Sequence, residues 1–319
     1  MMRIAVGQFS AATDLRLQYC QQLGASGVVL NTPELPGTRY WSYEDLRDLK
    51  ARCERYGLRL EAIENVPLGF YDHAIWGGPE RDAQIEAYQL TIKNMGRAGI
   101  PLLGYHWMAN GVIRTGWEPR GRGGAVVSVF QADAVKAPGP EMPLDEEGLW
   151  ANYRYFMEAV LPVAEASGVQ LALHPDDPPL PRVAGVPRLF YSFENFQKAA
   201  REYPSEAWGL DFCLGTWSEM GPGVLDKLRY FVRQRRVRYV HFRDVRGYVP
   251  TFEECFLGEG NYDPVAVMQL LLDEGFDGFA IDDHVPLLVG DEGWGERGRA
   301  YTTGYLQGLL TALKAVRAH

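Results

Sequence analysis

The chain is short of cysteine, histidine and positive charge, and each shortage removes a class of function. Its four cysteines, at 20, 53, 213 and 255, are scattered without the spacing of a zinc finger or a disulfide framework. No signal-peptide cleavage region follows the opening MMRIAVGQFS, so these are expected to be reduced thiols in a cytoplasmic protein. The 32 basic residues against 41 acidic ones leave a net charge of −9. That balance argues against partnership with nucleic acid or an anionic membrane, either of which needs a positive face. The single basic cluster, Arg233, Arg235, Arg236 and Arg238, reads as a solvated rim near a helix C-terminus. No run approaches the roughly 18 apolar residues of a membrane span. The first apolar run ends in Gly7-Gln8-Phe9-Ser10, not in the glycine-rich phosphate loop of a doubly wound nucleotide fold.

What is present is a β-then-α alternation in a chain that is 46% hydrophobic and 23% charged, enough apolar material for a full core. Short apolar runs predict strands at 3–8, 27–31, 58–64, 101–108, 169–174, 207–215, 237–245 and 277–284. Helical spacing predicts helices at 14–25, 42–57, 82–99, 145–168, 192–203, 224–233, 263–275 and 299–316, several stopped by glycine. Strands that are continuously apolar, each followed by a helix, point to a parallel closed sheet. The expected architecture is an α/β fold, a (β/α)8 TIM barrel, forming a single domain over residues 1–319. Two connections, 109–143 and 176–191, exceed ordinary βα-loop lengths and follow strand C-terminal ends, where barrel active sites are built.

Four consecutive strands finish on potential metal ligands. Strand five ends Leu173-His174-Pro175-Asp176-Asp177, strand six Leu210-Asp211-Phe212-Cys213, strand seven Val240-His241-Phe242-Arg243, and strand eight Ile281-Asp282-Asp283-His284. A lone strand cysteine is usually core filler, and a lone histidine is usually just hydrogen-bonded. Imidazole, thiolate, imidazole and carboxylate on neighbouring strands instead match a divalent-metal shell. Strand periodicity puts Ala172 with His174, Asp211 with Cys213, and Tyr239 with His241 and Arg243. It leaves Asp282 and Asp283 undecided.

These residues also carry a family likeness. Ala172-Leu173-His174-Pro175-Asp176-Asp177-Pro178-Pro179, with Gly185-Val186-Pro187-Arg188 after it, resembles the HPDDPP…GLPR signature of mannonate dehydratases. Gly209–Gly215 resembles that family's cysteine strand, Val240–Arg243 its HFRN strand, and Asp283-His284 its Asp-His pair. Further matches lie at Glu64–Pro67, Arg81-Asp82, Tyr105 with Met108, and Arg114-Thr115. The resemblance implies a barrel that dehydrates D-mannonate to 2-keto-3-deoxy-D-gluconate with one divalent ion. It implies Mn2+ first, with Fe2+, Co2+ or Zn2+ as substitutes, held by His174, Cys213, His241 and Asp283. This sequence departs from the pattern at Val285, where the family has glycine, and at Phe256, where it has histidine. Its 286–297 loop also lacks a counterpart of a family tyrosine and carries Trp294 and Arg297 instead.

For an elimination next to a carboxylate, Arg114, Arg188 and Arg243 are candidates to hold the sugar acid. His284, Tyr105 or His106 would serve as the acid. Asp176 and Asp177 would orient His174 or bind substrate hydroxyls, or simply open the turn before Pro178. Two other readings stand beside this one: a xylose-isomerase-like sugar isomerase or epimerase, and a non-catalytic sugar-acid-binding homologue. The partner is expected to be a small sugar acid, and the protein a homo-oligomer.

Overall fold

A computed structural model describes residues 2–136 and 144–317. Eight parallel staves close on themselves. The first, β1, is split at Ala5 into Arg3–Ile4 and Val6–Phe9; the others are β2 (Gly27–Asn31), β3 (Arg59–Glu64), β4 (Leu102–Tyr105), β5 (Gln170–Leu173), β6 (Trp208–Cys213), β7 (Val237–Phe242) and β8 (Phe279–Asp282). The lower half of β1 pairs with β8 through Arg3–Phe279 and Ile4–Ala280, and its upper half pairs with β2 through Val6–Val28. One split strand therefore bonds to both neighbours and completes the predicted barrel.

The crossover helices are α1 (Asp14–Gln22), α2 (Tyr43–Arg55), α3 (Arg81–Ala98), α4 (Glu146–Ser167), α5 (Phe193–Glu202), α6 (Val224–Arg233), α7 (Pro264–Asp273) and α8 (Glu296–Arg317). Their starts follow from capping side chains. Ser42 accepts from Asp45 N, Asp145 from Gly148 N, and Asp263 from Val265 N with Pro264 in the first turn. The C-terminus of α4 turns out at Gly168 with φ 66°, where glycine avoids the left-handed penalty. None of the described helices is long and apolar enough to cross a membrane.

The barrel interior is plugged by Ala5, Val29, Ala62, Leu102, Ala172, Tyr239, Phe279 and Ile281. Gly104 is required there, because a Cβ would meet the Tyr239 hydroxyl at 2.6 Å. The polar residues of the candidate site lie above this plug, toward the strand C-terminal ends. At the opposite end, the cluster predicted to be a solvated rim is only partly so. Arg233 pairs with Glu274 at the surface, but Arg236 and Arg238 are half-buried and donate to backbone carbonyls of Ser205, Glu206 and Trp208.

Three features differ from the expected elements. Strand four ends at Tyr105, three residues early, and strand six ends at Cys213, where a short helix over Leu214–Glu219 begins. The long connection after strand four contributes strands Gly116–Glu118 and Val127–Gln131 to a four-stranded antiparallel sheet. The other two strands, Asp244–Tyr248 and Thr251–Cys255, form a hairpin after β7. This sheet roofs one side of the barrel mouth. The tail of that connection, 137–143, lies outside the described residues.

Candidate metal centre

Parallel register sets the centre. Cys213 on β6 stands directly across from His241 on β7, and His174 follows the last residue of β5. The ligand atoms of His174, Cys213 and His241 all lie within 4.8 Å of one another. Asp283 adds an oxygen, Oδ2, at 3.6 Å from both Cys213 Sγ and His241 Nδ1. Donors around one ion with bonds of about 2.0–2.3 Å sit roughly 3–4 Å apart, so the spacing fits. Asp282 is otherwise occupied: its carboxylate accepts from Gly7 N at 3.0 Å and from Arg299 at 2.6 Å. Phe279 and Ile281 face inward, so alternation turns Asp283 inward and Asp282 out toward α8.

The imidazoles are oriented from behind. His174 Nδ1 donates to the Pro175 carbonyl at 2.7 Å, leaving Nε2 toward Cys213. His241 Nε2 lies 3.1 Å from Glu64 Oε2 and 3.1 Å from Asp211 Oδ2, and its buried Nδ1 has no hydrogen-bond partner among the described residues. An orphaned ring nitrogen facing a thiol and a carboxylate is what an ion would satisfy. The donor set, two nitrogens, one sulfur and one oxygen, suits a divalent transition metal.

The electrostatics favour the Cys213 thiolate but hold a proton on His174. Burial pushes the Cys213 thiol up, but the Arg243 guanidinium and both imidazoles outweigh it and bring the group down to about 5. Burial opposes charge on His174, yet the Cys213 thiolate and the Asp211 carboxylate raise it to about 10. Protons therefore occupy the lone pairs that an ion would take, and binding releases them.

Around the centre runs a buried ionic network that changes several expectations. Arg114 donates from Nη1 and Nη2 to Asp177 at 2.6 and 2.8 Å, from Nε to Ser128, and onward to the Ile113 carbonyl and Glu254. Arg243 is enclosed by Asp177, Glu219, Glu254, Thr216 and the Cys213 sulfur. The expectation that these two arginines hold a substrate carboxylate meets donors turned to protein acceptors, all but Arg243 Nε, which lies 3.1 Å from Glu254 Oε1 without a hydrogen bond among the described residues. Asp177, their shared partner, is likewise turned to protein donors. Asp176 is only half committed: its Oδ2 accepts from Leu189 and Phe190 N and pins the 176–191 loop, while its Oδ1 has no hydrogen-bond partner among the described residues and faces Arg188 Nη1 at 4.0 Å. Arg188 differs. It is fully buried, donates from Nη2 to the Gly111 carbonyl, and among the described residues leaves Nε and Nη1 without hydrogen-bond partners, Nη1 facing Asp176 Oδ1 at 4.0 Å.

Of the three expected acids, Tyr105 is corrected. It follows inward-facing Gly104, so it points outward, and its hydroxyl bonds to Tyr153 at 2.9 Å in the helix-facing core. His106 accepts from Met108 N on Nδ1 at 3.1 Å, which puts its ring hydrogen on Nε2. Burial, with His174 and Arg188 nearby, lowers it to about 3, so it is a neutral donor. His284 is 31% exposed at the mouth, with Nδ1 2.6 Å from Glu254 Oε1 and Nε2 3.8 Å from Asp283 Oδ1. Burial opposes its charge, but these two carboxylates outweigh that and raise it above the ordinary imidazole value.

Val285 is buried two residues after Asp283, and the other substituted positions are engaged elsewhere. Trp294 donates to the Gln8 carbonyl and Arg297 to that of Val289. Phe256 is buried beneath Arg122, whose guanidinium sits 4.4 Å from the ring centre. Sequence reasoning missed Glu64, Asp211, Thr216, Glu219 and Glu254. Asp211 was detectable, two residues before Cys213 on its face, and so was Glu64 at a strand end. Nothing local marked Glu254.

A family model described as D-mannonate dehydratase (UxuA) matches residues 2–142 and 140–319. The mannonate dehydratase of Streptococcus suis is 32% identical over 323 residues, covering 91% of this chain and 87% of the relative. The crystal structure of mannonate dehydratase from Streptococcus suis serotype 2 superposes with a TM-score of 0.91 at 29% identity, covering 99% of this chain and 96% of that one. An L-ribulose 3-epimerase superposes with a TM-score of 0.64 at 15% identity, covering 100% and 97%, a likeness of fold alone.

Proposed function

The chain belongs to the D-mannonate dehydratase family and is a metal-dependent sugar-acid dehydratase, a hydro-lyase; we propose that its substrate is D-mannonate and its product 2-keto-3-deoxy-D-gluconate. The observation that carries the proposal is the convergence of His174, Cys213, His241 and Asp283 from four consecutive staves beneath His284.

In the reaction a base takes the proton next to the carboxylate and the C–O bond on the following carbon breaks; the enol left behind loses its hydroxyl proton, gains one on carbon and becomes the 2-keto acid. An ion held by the four residues would stabilise the negative charge that builds up on the carboxylate as that proton leaves. Arg188 offers the carboxylate two donors without hydrogen-bond partners among the described residues. His106, neutral with hydrogen on Nε2, offers a hydroxyl contact near His174. His284 gives its proton to the departing hydroxyl, which leaves as water, and Glu254 and Asp283 hold the imidazolium in place for that transfer.

Mn2+ is the proposed ion on the strength of the family resemblance, although the Cys213 thiolate would also suit Zn2+ or Fe2+. Cytoplasmic residence is supported by four cysteines that are free and buried. Self-association is supported by exposed Trp117 and Tyr248 on the antiparallel sheet. The test is incubation of Mn2+-loaded protein with D-mannonate, followed by NMR of the products. A 2-keto-3-deoxy acid is expected; an epimer, or unchanged D-mannonate, would overturn the proposal.

A further inference from the structure

Behind His241 stand two carboxylates where one would fix the ring. Glu64 Oε2 and Asp211 Oδ2 each lie 3.1 Å from Nε2, a nitrogen with a single hydrogen to give. The two acids are not equivalent. Glu64 is held independently, since Tyr239 donates to Oε2 at 3.1 Å and Gln8 donates to Oε1. Asp211 is fully buried, and among the described residues neither of its oxygens has a hydrogen-bond partner: His241 Nε2 gives its hydrogen to Glu64 and meets Asp211 Oδ2 only as a charge contact. A buried carboxylate with so little satisfaction is a cost to the fold. Its position offers one compensation, the back of the His241 ring.

We propose that Asp211 and Glu64 are positioning residues that hold the hydrogen of His241 on Nε2 and so present Nδ1 to the ion, with Asp211 retained for metal affinity at the expense of stability. The contrast with His174 supports this. There the back-side partner is a carbonyl on Nδ1, and the nitrogen presented is Nε2. The two histidines thus offer opposite nitrogens, each selected by what stands behind it. A carboxylate behind the ring also makes the facing nitrogen a stronger donor than a carbonyl does, so His241 is the more basic of the two ligands. Glu64 comes from β3 and Asp211 from β6, so a site built on staves five to eight is tied to the far side of the barrel.

The inference rests on the metal-centre reading, and the experiment separates the two. Mn2+ and Zn2+ dissociation constants are measured by chelator competition on the full chain and its Asp211→Asn, Glu64→Gln and His241→Ala variants. Thermal melting of the metal-free forms is measured alongside. The 15N shifts of labelled histidine in Zn2+-loaded protein report which nitrogen is bound. Asp211→Asn is expected to weaken binding roughly 10- to 100-fold while leaving the metal-free melting temperature unchanged or higher, which a merely structural residue would not do. Glu64→Gln is expected to weaken binding over the same range. His241 is expected to show metal on Nδ1. Wild-type affinity in both carboxylate variants, or metal on Nε2, overturns the inference. Wild-type affinity in His241→Ala overturns the metal-centre reading itself.

Discussion

His284 Nδ1 and Glu254 Oε1 lie 2.6 Å apart, and the two residues reach each other from different sheets. His284 follows the last barrel stave, whereas Glu254 belongs to the hairpin that roofs the mouth. The roof therefore supplies the carboxylate charge that favours protonation of the proposed acid. Glu254→Gln keeps the shape and removes that charge. It should lower kcat by roughly 10- to 100-fold and His284→Gln by about 100- to 10,000-fold, the range for a general acid. Neither should change metal affinity or KM by more than a few-fold. Steady-state kinetics with matched metal titrations check this; an unchanged kcat in His284→Gln removes the residue from the chemistry.

The same network sets acid stability. Burial pushes the Glu254 carboxyl up, but His284, Arg243 and Arg114 outweigh it and hold the group at about 2. Burial likewise opposes charge on Asp177, and Arg114 and Arg243 hold it well below the ordinary range. Both folded values lie below the unfolded ones. The stabilisation is complete above the ordinary carboxylate range near pH 4 and is lost as pH falls toward 2. Urea unfolding of metal-free protein between pH 4.5 and 2 should show a slope shallower in Glu254→Gln by up to about 1.4 kcal/mol per pH unit, the value for one proton. Equal slopes would mean that Glu254 is not held charged by its neighbours.

Arg114 and Arg188 should separate cleanly when mutated. Arg114 spends its donors on Asp177, Glu254, Ser128 and the Ile113 carbonyl, so Arg114→Met leaves buried carboxylates uncompensated and should cost about 3–5 kcal/mol. Arg188 gives one hydrogen bond to the Gly111 carbonyl and faces the buried Asp176 carboxylate at 4.0 Å, so Arg188→Met should lower the melting temperature less than Arg114→Met does. It should also raise KM for the sugar acid by at least about tenfold, the loss of a charge-assisted contact. Thermal melts and KM on both variants decide; the reverse pattern would exchange their roles.

Tyr105→Phe tests the correction made from strand direction. Its hydroxyl bonds to Tyr153 in the core, so the substitution should cost about 1 kcal/mol and leave kcat within twofold. A large loss of kcat without loss of stability would return Tyr105 to the site.

The barrel was legible because parallel staves covered on both faces are continuously apolar, and because most of the crossover helices begin at a capping side chain, Thr13, Ser42, Asp145, Ser192 or Asp263. The same double burial hid the choice on stave eight. Residues 279–282 are all buried, so no polar alternation shows which face is inward. Tyr105 was misassigned because its strand was extended to 108, which blurred the alternation that Gly104 fixes. The antiparallel sheet was hidden for another reason. Asp244–Tyr248 begins two residues after a barrel stave and reads DVRGY, which carries little apolar signal, and its hairpin partner Thr251–Cys255 pairs in turn with a strand more than a hundred residues upstream. Glu254 and its contact with His284 exist only once that sheet has formed.

The central claim is that one ion sits between His174, Cys213, His241 and Asp283, with the Cys213 sulfur bound directly to it. The most direct test is the near-ultraviolet spectrum of Co2+-loaded protein, in which a thiolate bound to cobalt gives a charge-transfer band. The expected result is a band in the wild type that is absent in Cys213→Ser, with Co2+ affinity weakened at least about tenfold. A wild-type protein that binds Co2+ without the band, or a Cys213→Ser variant that keeps both band and affinity, would contradict the account.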